Sequence, residues 1–289
     1  MFLCGKNTFI LTPGPTWLLR KLFSVQLNIS KNIEELSWRV AEWMVGYIHE
    51  ILQKQDRFTI ALSGGSTPKK LNLLLASDEF KNKIEWQKLH VFWGDERYVP
   101  FTDDRNNAKM AFDTLLNHVP VPKSQIHIMR TDIDPEASAS EYEKILKTYF
   151  PGVASYELRA AGSEPTHDSR LTSDVSPLTT FDLVLLGLGD NAHTLSLFPG
   201  EEIIHEKNDW VKAVFVKEIN MQRITLTAPV VNLSSCIVFL VSAQDKADAV
   251  SHVLLNDYTP DLYPAQVIKP VHGELYWFLD EAAAARVKK

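Results

Sequence analysis

The hydrophobic and polar positions of this chain change period repeatedly along its length. In the segment 32–53, apolar side chains recur at the three- and four-residue spacing of an amphipathic helix. Phe58–Leu62 is instead a short, mostly apolar run, which favours a buried strand. Residues 63–68, SGGSTP, then form a turn, and the apolar positions after it predict a helix with Pro68 in its first turn. The pattern predicts a unit of strand, glycine loop and helix.

The same alternation recurs further along the chain. We predict strands at Leu89–Trp93, 182–186, Cys236–Val241 and 274–279, and helices at 107–116, 135–150, 245–255 and 280–287, the last with Asp280 as its N-cap. Strands that alternate with helices indicate a mostly parallel sheet with helices on both faces. The expected fold class is therefore α/β, a single-domain, Rossmann-like three-layer sandwich.

Two segments lie outside this alternation. In residues 1–24, charges interrupt the apolar positions and no small-residue cleavage site follows, so a secretory signal peptide is not indicated. We expect residues 1–24 to be an extension outside the core and residues 25–289 to form the domain. The segment 160–180 is rich in serine, threonine, glycine and proline without periodicity, which is typical of a peripheral polar insert.

The composition and charge limit which kinds of molecule this protein is expected to bind. The 289 residues are 45% hydrophobic, enough for a sizeable core. The net charge of −6 argues against nucleic acid or an anionic membrane as a partner, but leaves room for a local basic pocket. Cys4 and Cys236 show no metal-ligand spacing, which favours a reducing compartment. We expect a cytoplasmic enzyme of a small molecule, either a monomer or a small homo-oligomer.

The glycine loop is the first candidate binding element. It offers successive backbone N–H groups, hydroxyls and a helix N-terminus, a combination that binds phosphate in other glycine-rich loops: Ser63, Gly64, Gly65, Ser66 and Thr67. The alternative is a plain strand-to-helix turn, because SGGSTP lacks the lysine of the P-loop pattern.

His193 is the candidate for acid–base chemistry. The apolar run 182–186 stops at Gly187 and Gly189, which places His193 just beyond the carboxyl end of a central strand. Ligands bind at that edge in open α/β sheets, and imidazole is the commonest general acid or base. The alternative is a structural histidine that caps a short helix at 194–198.

Three consecutive charged residues, Asp95, Glu96 and Arg97, follow the strand at Leu89–Trp93. Such a run is usually a solvated loop, but here it lies at the sheet edge expected to carry the glycine loop and His193, so the three segments can form one cleft. The guanidinium group of Arg97 could bind phosphate through two parallel hydrogen bonds. Asp95 could orient a substrate hydroxyl or Arg97. Arg223 and Lys246 also lie near joins of strand and helix, although isolated basic residues are usually surface charges.

Three motifs in this order resemble those of the 6-phosphogluconolactonases, within the family that they share with glucosamine-6-phosphate isomerases/deaminases. They are SGGSTP at 63–68, GDERYVP at 94–100 and FDLVLLGLGDNAHTLSLFPG at 181–200, and the resemblance extends over about residues 26 to 285. It implies hydrolysis of 6-phospho-D-glucono-1,5-lactone to 6-phosphogluconate, in the oxidative pentose phosphate pathway. It also implies that the glycine loop and Lys246 bind phosphate, that Arg97 contacts substrate, that Arg223 is a further basic contact, and that His193 is the general base toward water.

The sequence departs from the family at one point of the histidine motif. Asn191 and Ala192 stand where the family string DGHT has aspartate and glycine. An aspartate would raise the basicity of the imidazole and fix its tautomer, whereas asparagine can hold the orientation without supplying charge. Asp190 could substitute in part, so we expect Asn191 to affect efficiency more than reaction type.

Two other functions remain as alternatives. A glucosamine-6-phosphate isomerase/deaminase would share the phosphate site, but HTLSLFPG stands where those enzymes have a string ending in Asn-Glu-Pro, and they carry a DEY-type string in place of GDERYVP. A non-catalytic regulator that binds sugar phosphate is suggested by Asn191, but the presence of His193 and Arg97 argues against it.

No cofactor is expected. Gly187, Gly189 and Ala192 match a dinucleotide-binding fingerprint, but a proline and a glycine at 199–200 leave too short a helix after it. Glu202 and His205 form a single ExxH without a second copy, so a catalytic metal is not indicated.

Overall fold

The computed structural model describes residues 8–11, 25–154 and 178–287. The strands are β1 (Thr8–Leu11), β2 (Val25–Ser30), β3 (Phe58–Leu62), β4 (Leu89–Trp93), β5 (Asp95–Arg97), β6 (Leu183–Leu186), β7 (Val211–Val216), β8 (Met221–Leu226), β9 (Cys236–Val241) and β10 (Glu274–Asp280). The helices are α1 (Ile33–Leu52), α2 (Ser66–Leu75), α3 (Asn107–Ala111), α4 (Pro135–Tyr149), α5 (Ala228–Asn232) and α6 (Ala247–Leu255). A π-helical turn, Phe112–Leu116, continues α3.

Seven strands form the main sheet in the order β1-β2-β10-β9-β6-β3-β4, and all neighbours are parallel except β1 and β2. Every residue of the central strands β6 and β9 is buried. One face packs against α1, α2 and α3, and the other against α4, α5 and α6. The prediction of a mostly parallel sheet with helices on both faces is confirmed.

A second sheet, β5-β8-β7, is antiparallel and was not expected from the sequence. β5 consists of three charged residues, which do not form a strand pattern. Its partner β8 comes more than a hundred residues later, and their register sets Arg97 opposite Arg223. This small sheet carries the charged run that follows β4.

Two of the expected helices are absent. Residues 281–287 form turns, although Asp280 does accept a cap-like bond from the backbone N–H of Ala283 at 2.7 Å. Residues 194–198 form a tight turn closed by a bridge between Thr194 and Leu197, with Leu195 in the left-handed region at φ 55°. Since a residue at positive φ cannot continue a right-handed helix, His193 has no helix to cap.

Part of the chain's extension joins the sheet. β1 adds to the edge of β2 through antiparallel pairing, while the rest of residues 1–24 and most of the 160–180 insert lie outside the described residues. The assignment of residues 1–24 to an extension outside the core stays a prediction. Within the described ranges, no helix is both long enough and apolar enough to cross a membrane.

Candidate active site

A cleft lies at the edge of the main sheet where the carboxyl ends of β3, β4, β6 and β9 meet. Because these strands are parallel, the loops that follow them converge at that edge. Ten of the eleven predicted site residues line the cleft: Ser63, Gly64, Gly65, Ser66, Thr67, Asp95, Arg97, His193, Arg223 and Lys246. Asn191 does not line it but contacts His193 from behind.

The glycine loop leads into the N-terminus of α2. Gly65 has a φ of 105°, and the first turn of α2 contains no acidic residue that could occupy the positive end of the helix dipole. The N–H groups of Ser66 and Thr67 belong to that first turn, where no intrahelical acceptor exists. A Cβ at Gly64 would lie 1.9 Å from Oδ1 of Asn107, so a larger residue there would have to displace the Asn107 side chain. The loop therefore has the geometry of an anion site.

Arg97 and Arg223 face each other across the β5–β8 pair. Like charges in direct opposition destabilise a sheet unless a counter-charge is present. Asp95 supplies it, since its Oδ2 accepts from Nη1 of Arg223 at 3.2 Å and from the hydroxyl of Ser196 at 2.8 Å. The suggestion that Asp95 orients Arg97 was therefore wrong: Asp95 holds Arg223, and Arg97 donates to the carbonyl of Arg105 instead.

Both arginines retain a buried donor without a protein partner. Within the described part of the chain, the Nε atoms of Arg97 and Arg223 are buried and make no hydrogen bond. An unsatisfied buried donor costs about 1–3 kcal/mol. Lys246 adds a third positive charge, although its Nζ is 2.9 Å from Asp245. This cluster suits a dianion such as a phosphate group.

His193 stacks on Phe198, with ring centroids 4.0 Å apart and nearly parallel planes. The pKa of His193 is lowered to about 4, mainly by burial and also by the charges of Arg223 and Lys246, against the opposing effect of Asp95 and Asp190. The imidazole is therefore neutral at physiological pH. A neutral ring can accept a proton, as a general base must.

The hydrogen bonds of Asn191 fix the tautomer of that ring. Nδ2 of Asn191 lies 3.0 Å from each carboxylate oxygen of Glu218, and an amide nitrogen can only donate. Oδ1 therefore faces Nδ1 of His193, 2.6 Å away, and must accept a proton from it. Nδ1 carries the hydrogen, and Nε2 keeps its lone pair on the side of the ring away from Asn191. Asp190 is exposed and accepts from the backbone N–H of Asn191, so it acts on His193 only through its charge.

The turn before His193 requires a glycine. A Cβ at Gly189 would lie 2.0 Å from Nδ1 of His193 and 2.9 Å from Oδ1 of Asn191, whereas one at Gly187 would meet nothing closer than the hydroxyl of Ser63 at 3.6 Å. We expect Gly189→Ala to displace the imidazole and to lower the free energy of unfolding by about 1–3 kcal/mol, and Gly187→Ala to lower it less. Urea unfolding of the two variants tests this. Equal stability of both would mean that the turn adapts freely.

Sequence reasoning missed Asn107 and Ser242, which also line the cleft. Asn107 donates to the backbone oxygen of Asp95 at 2.9 Å, and the hydroxyl of Ser242 bonds that of Thr67 at 2.8 Å. Ser242 directly follows β9, so the rule that ligands bind at the carboxyl ends of strands could have found it. Asn107 carries no comparable signal, because its place depends on where α3 docks.

Glu96 is fully buried beneath the cleft. Its carboxylate accepts from the backbone N–H groups of Arg97, Asn107 and Ala108, and so ties β5 to the first turn of α3. Burial raises the pKa of Glu96 to about 7 in spite of these bonds. The middle residue of the charged run thus has a structural role, while its two neighbours line the cleft.

The described residues contain no group of three or more His, Cys, Asp or Glu side chains placed to hold a metal ion. His205 of the ExxH pattern bonds Asp261 through Nε2 at 2.7 Å.

The fold and the site define a class: an open-sheet α/β protein whose cleft combines a glycine loop at a helix N-terminus and basic side chains with a neutral histidine. The chain belongs to the glucosamine-6-phosphate isomerase/6-phosphogluconolactonase family, whose model matches residues 31–277.

Several relatives share most of their length with this chain. A 6-phosphogluconolactonase of Nostoc sp. is 40% identical over 237 residues, which cover 82% of this chain and 87% of the relative. One of Synechocystis sp. is 35% identical over 264 residues, with 91% and 98% covered. Among solved structures, the devB protein matches with a TM-score of 0.75 at 30% identity, covering 91% of this chain and 99% of that one. The 6-phosphogluconolactonase of Trypanosoma brucei matches with a TM-score of 0.72 at 26% identity, covering 92% and 100%.

Proposed function

We propose that this protein hydrolyses 6-phospho-D-glucono-1,5-lactone to 6-phosphogluconate, as a step of the oxidative pentose phosphate pathway. The observation that carries the proposal is the placement of a neutral imidazole in the same cleft as a glycine loop at a helix N-terminus and three basic side chains, those of Arg97, Arg223 and Lys246. The names of the similar proteins support the substrate. A cytoplasmic location and a monomer or small homo-oligomer belong to the same proposal.

His193 acts as the general base. Nε2 takes a proton from a water molecule, whose oxygen attacks the lactone carbonyl carbon to form a tetrahedral oxyanion. The oxyanion collapses, the bond between that carbon and the ring oxygen breaks, and the imidazolium returns the proton to the ring oxygen. The product is an open-chain acid that ionises in water. Since a lactone is an activated ester, the step needs no covalent nucleophile.

The remaining cleft residues hold the phosphate at the far end of the substrate. The N–H groups at the start of α2, together with Arg97, Arg223 and Lys246, surround it with donors and positive charge. Asp95 keeps Arg223 in place from its buried position and has its catalytic effect through that arginine. Anchoring one end of the substrate limits the motion of the carbonyl relative to His193, which raises the effective concentration of the base.

The decisive test uses freshly prepared phosphogluconolactone, with acid release followed against the spontaneous background. We expect the protein to accelerate the release, and to do so without added metal or nucleotide. Glucosamine 6-phosphate serves as the alternative substrate, and ammonia release from it would favour the isomerase/deaminase instead. Tight binding of 6-phosphogluconate without turnover of the lactone would favour a regulator.

Asn191→Asp tests how residue 191 sets the basicity of His193. The new carboxylate replaces Oδ1 at 2.6 Å from Nδ1, close enough to stabilise the imidazolium, so the pKa of His193 should rise from about 4. Because the base must be unprotonated to act, the acid limb of the pH–rate profile should move to higher pH. The measurement is kcat/KM from about pH 4 to 8, the range in which a histidine titrates. An unshifted limb would mean that residue 191 only shapes the loop.

A further inference from the structure

Three side chains form a hydrogen-bonded chain that leads from the cleft to the protein surface. His193 donates from Nδ1 to Asn191, and Asn191 donates from Nδ2 to Glu218, where its nitrogen is 3.0 Å from both carboxylate oxygens. Glu218 is exposed and lies on a short 3-10 turn between β7 and β8, which ends at Asn220 in the left-handed conformation. It does not line the cleft and lies 27 residues from Asn191 in sequence.

An asparagine alone cannot choose the tautomer of a neighbouring histidine. Its amide can rotate by half a turn and present either an acceptor, Oδ1, or a donor, Nδ2, to the ring. Facing Oδ1, the imidazole places its hydrogen on Nδ1. Facing Nδ2, it must place its hydrogen on Nε2, which then has no lone pair with which to activate water. The backbone N–H of His193, 3.2 Å from Oδ1, favours the first orientation, and an acceptor for Nδ2 would reinforce it.

Glu218 is such an acceptor because a carboxylate only accepts. With Nδ2 engaged by two carboxylate oxygens, rotation of the amide would place Oδ1 against a negative charge and leave Nδ2 facing His193. We infer that Glu218 is a positioning residue: it holds the amide of Asn191 so that Nδ1 of His193 is protonated and Nε2 is free to act as the base. This inference rests on the proposed role of His193.

The same chemistry couples positions 191 and 218. Asparagine at 191 requires an acceptor at 218, because its free end is a donor. An aspartate at 191 offers only acceptors, so it would be repelled by Glu218 and would be complemented by a donor such as lysine. In Asn191→Asp combined with Glu218→Lys, the lysine should therefore pair with the new carboxylate, which still offers an oxygen as the acceptor for Nδ1 of His193.

The experiment compares Glu218→Lys with the wild type by nitrogen NMR of 15N-histidine-labelled protein, without substrate, near pH 7. In the wild type we expect the ring of His193 to be neutral with its hydrogen on Nδ1. In Glu218→Lys, the ammonium attracts Oδ1, the amide turns, and the hydrogen should move to Nε2. Since the general base is then lost in most molecules, kcat for the lactone should fall about 100-fold with KM little changed.

Three further variants complete the test. Glu218→Ala removes one of the two contacts that orient the amide, while the backbone N–H of His193 still donates to Oδ1. We therefore expect a partial mixture of tautomers and a fall in kcat of about 3- to 10-fold, the scale of one hydrogen bond. The double variant, Asn191→Asp with Glu218→Lys, should return the hydrogen to Nδ1 and recover most of kcat. Glu42→Lys, the same charge change at an exposed position of α1, should leave both readouts at the wild-type value.

The outcomes separate this inference from the proposed function. A wild-type tautomer and wild-type kcat in Glu218→Lys, with unchanged melting temperature, would overturn the positioning role and leave the lactonase proposal standing. Failure of the double variant to restore the Nδ1 tautomer would also overturn it. If the wild type does not hydrolyse the lactone, the proposed function fails, and the NMR comparison still decides whether Glu218 sets the tautomer.

Discussion

His193→Ala should lower kcat for phosphogluconolactone by about 100-fold or more, the usual effect of removing a general base, while KM changes little. Binding should persist because the donors for the phosphate lie elsewhere in the cleft, on α2, β5, β8 and the loop after β9. In the wild type, burial lowers the pKa of His193 to about 4, so the base is unprotonated across the neutral range and activity should fall only as pH drops toward that value. The variant should lose this acid limb.

The control for this prediction is His205→Ala. His205 is exposed and pairs with Asp261, so its removal should leave kcat unchanged. Rates must be corrected for spontaneous hydrolysis of the lactone, because that background limits the lowest rate that can be measured for the His193 variant. Added imidazole should restore part of the activity if the missing group is a base. Turnover close to the wild type in His193→Ala would remove this residue from the mechanism.

Lys246→Ala and Arg97→Ala should each lower kcat/KM for the phosphorylated lactone by about 10- to 150-fold, corresponding to about 1.5–3 kcal/mol for a lost charge-assisted hydrogen bond. Neither residue is the ion-pair partner of a buried carboxylate, so removal of either should leave the fold intact. Arg223→Ala is a poorer test, because it leaves the carboxylate of Asp95 buried and unpaired, which is itself strongly destabilising.

The comparison substrate is gluconolactone without phosphate. It should be a poor substrate of the wild type, and its turnover should be nearly insensitive to Lys246→Ala and Arg97→Ala, because it presents nothing for these side chains to bind. Lys54→Ala, which replaces an exposed lysine just beyond the end of α1, controls for loss of positive charge alone. Equal activity of the wild type on both lactones would contradict the phosphate site.

The alternation of strands and helices was predictable because it depends on local periodicity. The apolar spacing of α1 and the continuous run of β9 appear in the structure within one or two residues of the predicted bounds. The errors fell where local signals are weak. Leu195 adopts a left-handed conformation that could not be predicted from the surrounding sequence. The charged segment β5 is a strand only because β8 pairs with it.

The glycine loop, Asp95, Arg97 and His193 were predictable as parts of one site, because turn chemistry and the carboxyl ends of parallel strands follow from sequence order, whereas Asn191, Arg223 and Lys246 were indicated by the resemblance to the family. Which of these residues form hydrogen bonds with each other could not be predicted. Asp95 binds Arg223, which is 128 residues away, rather than the nearby Arg97, because only the register of β5 against β8 brings them together. Asn107 entered the site through the docking of α3, which no local pattern reports.

The sequence by itself determined the fold class, the glycine loop and the position of His193 after β6, since each is set by residues close together in the chain. Only the tertiary structure decided the chemical state of that histidine. Burial sets the pKa of His193, and a carboxylate 27 residues from Asn191 sets the orientation of the amide that fixes the tautomer. Asn191 departs from the family motif in sequence, yet its effect depends on Glu218, because a hydrogen-bonding side chain acts through whichever partners the fold brings to it.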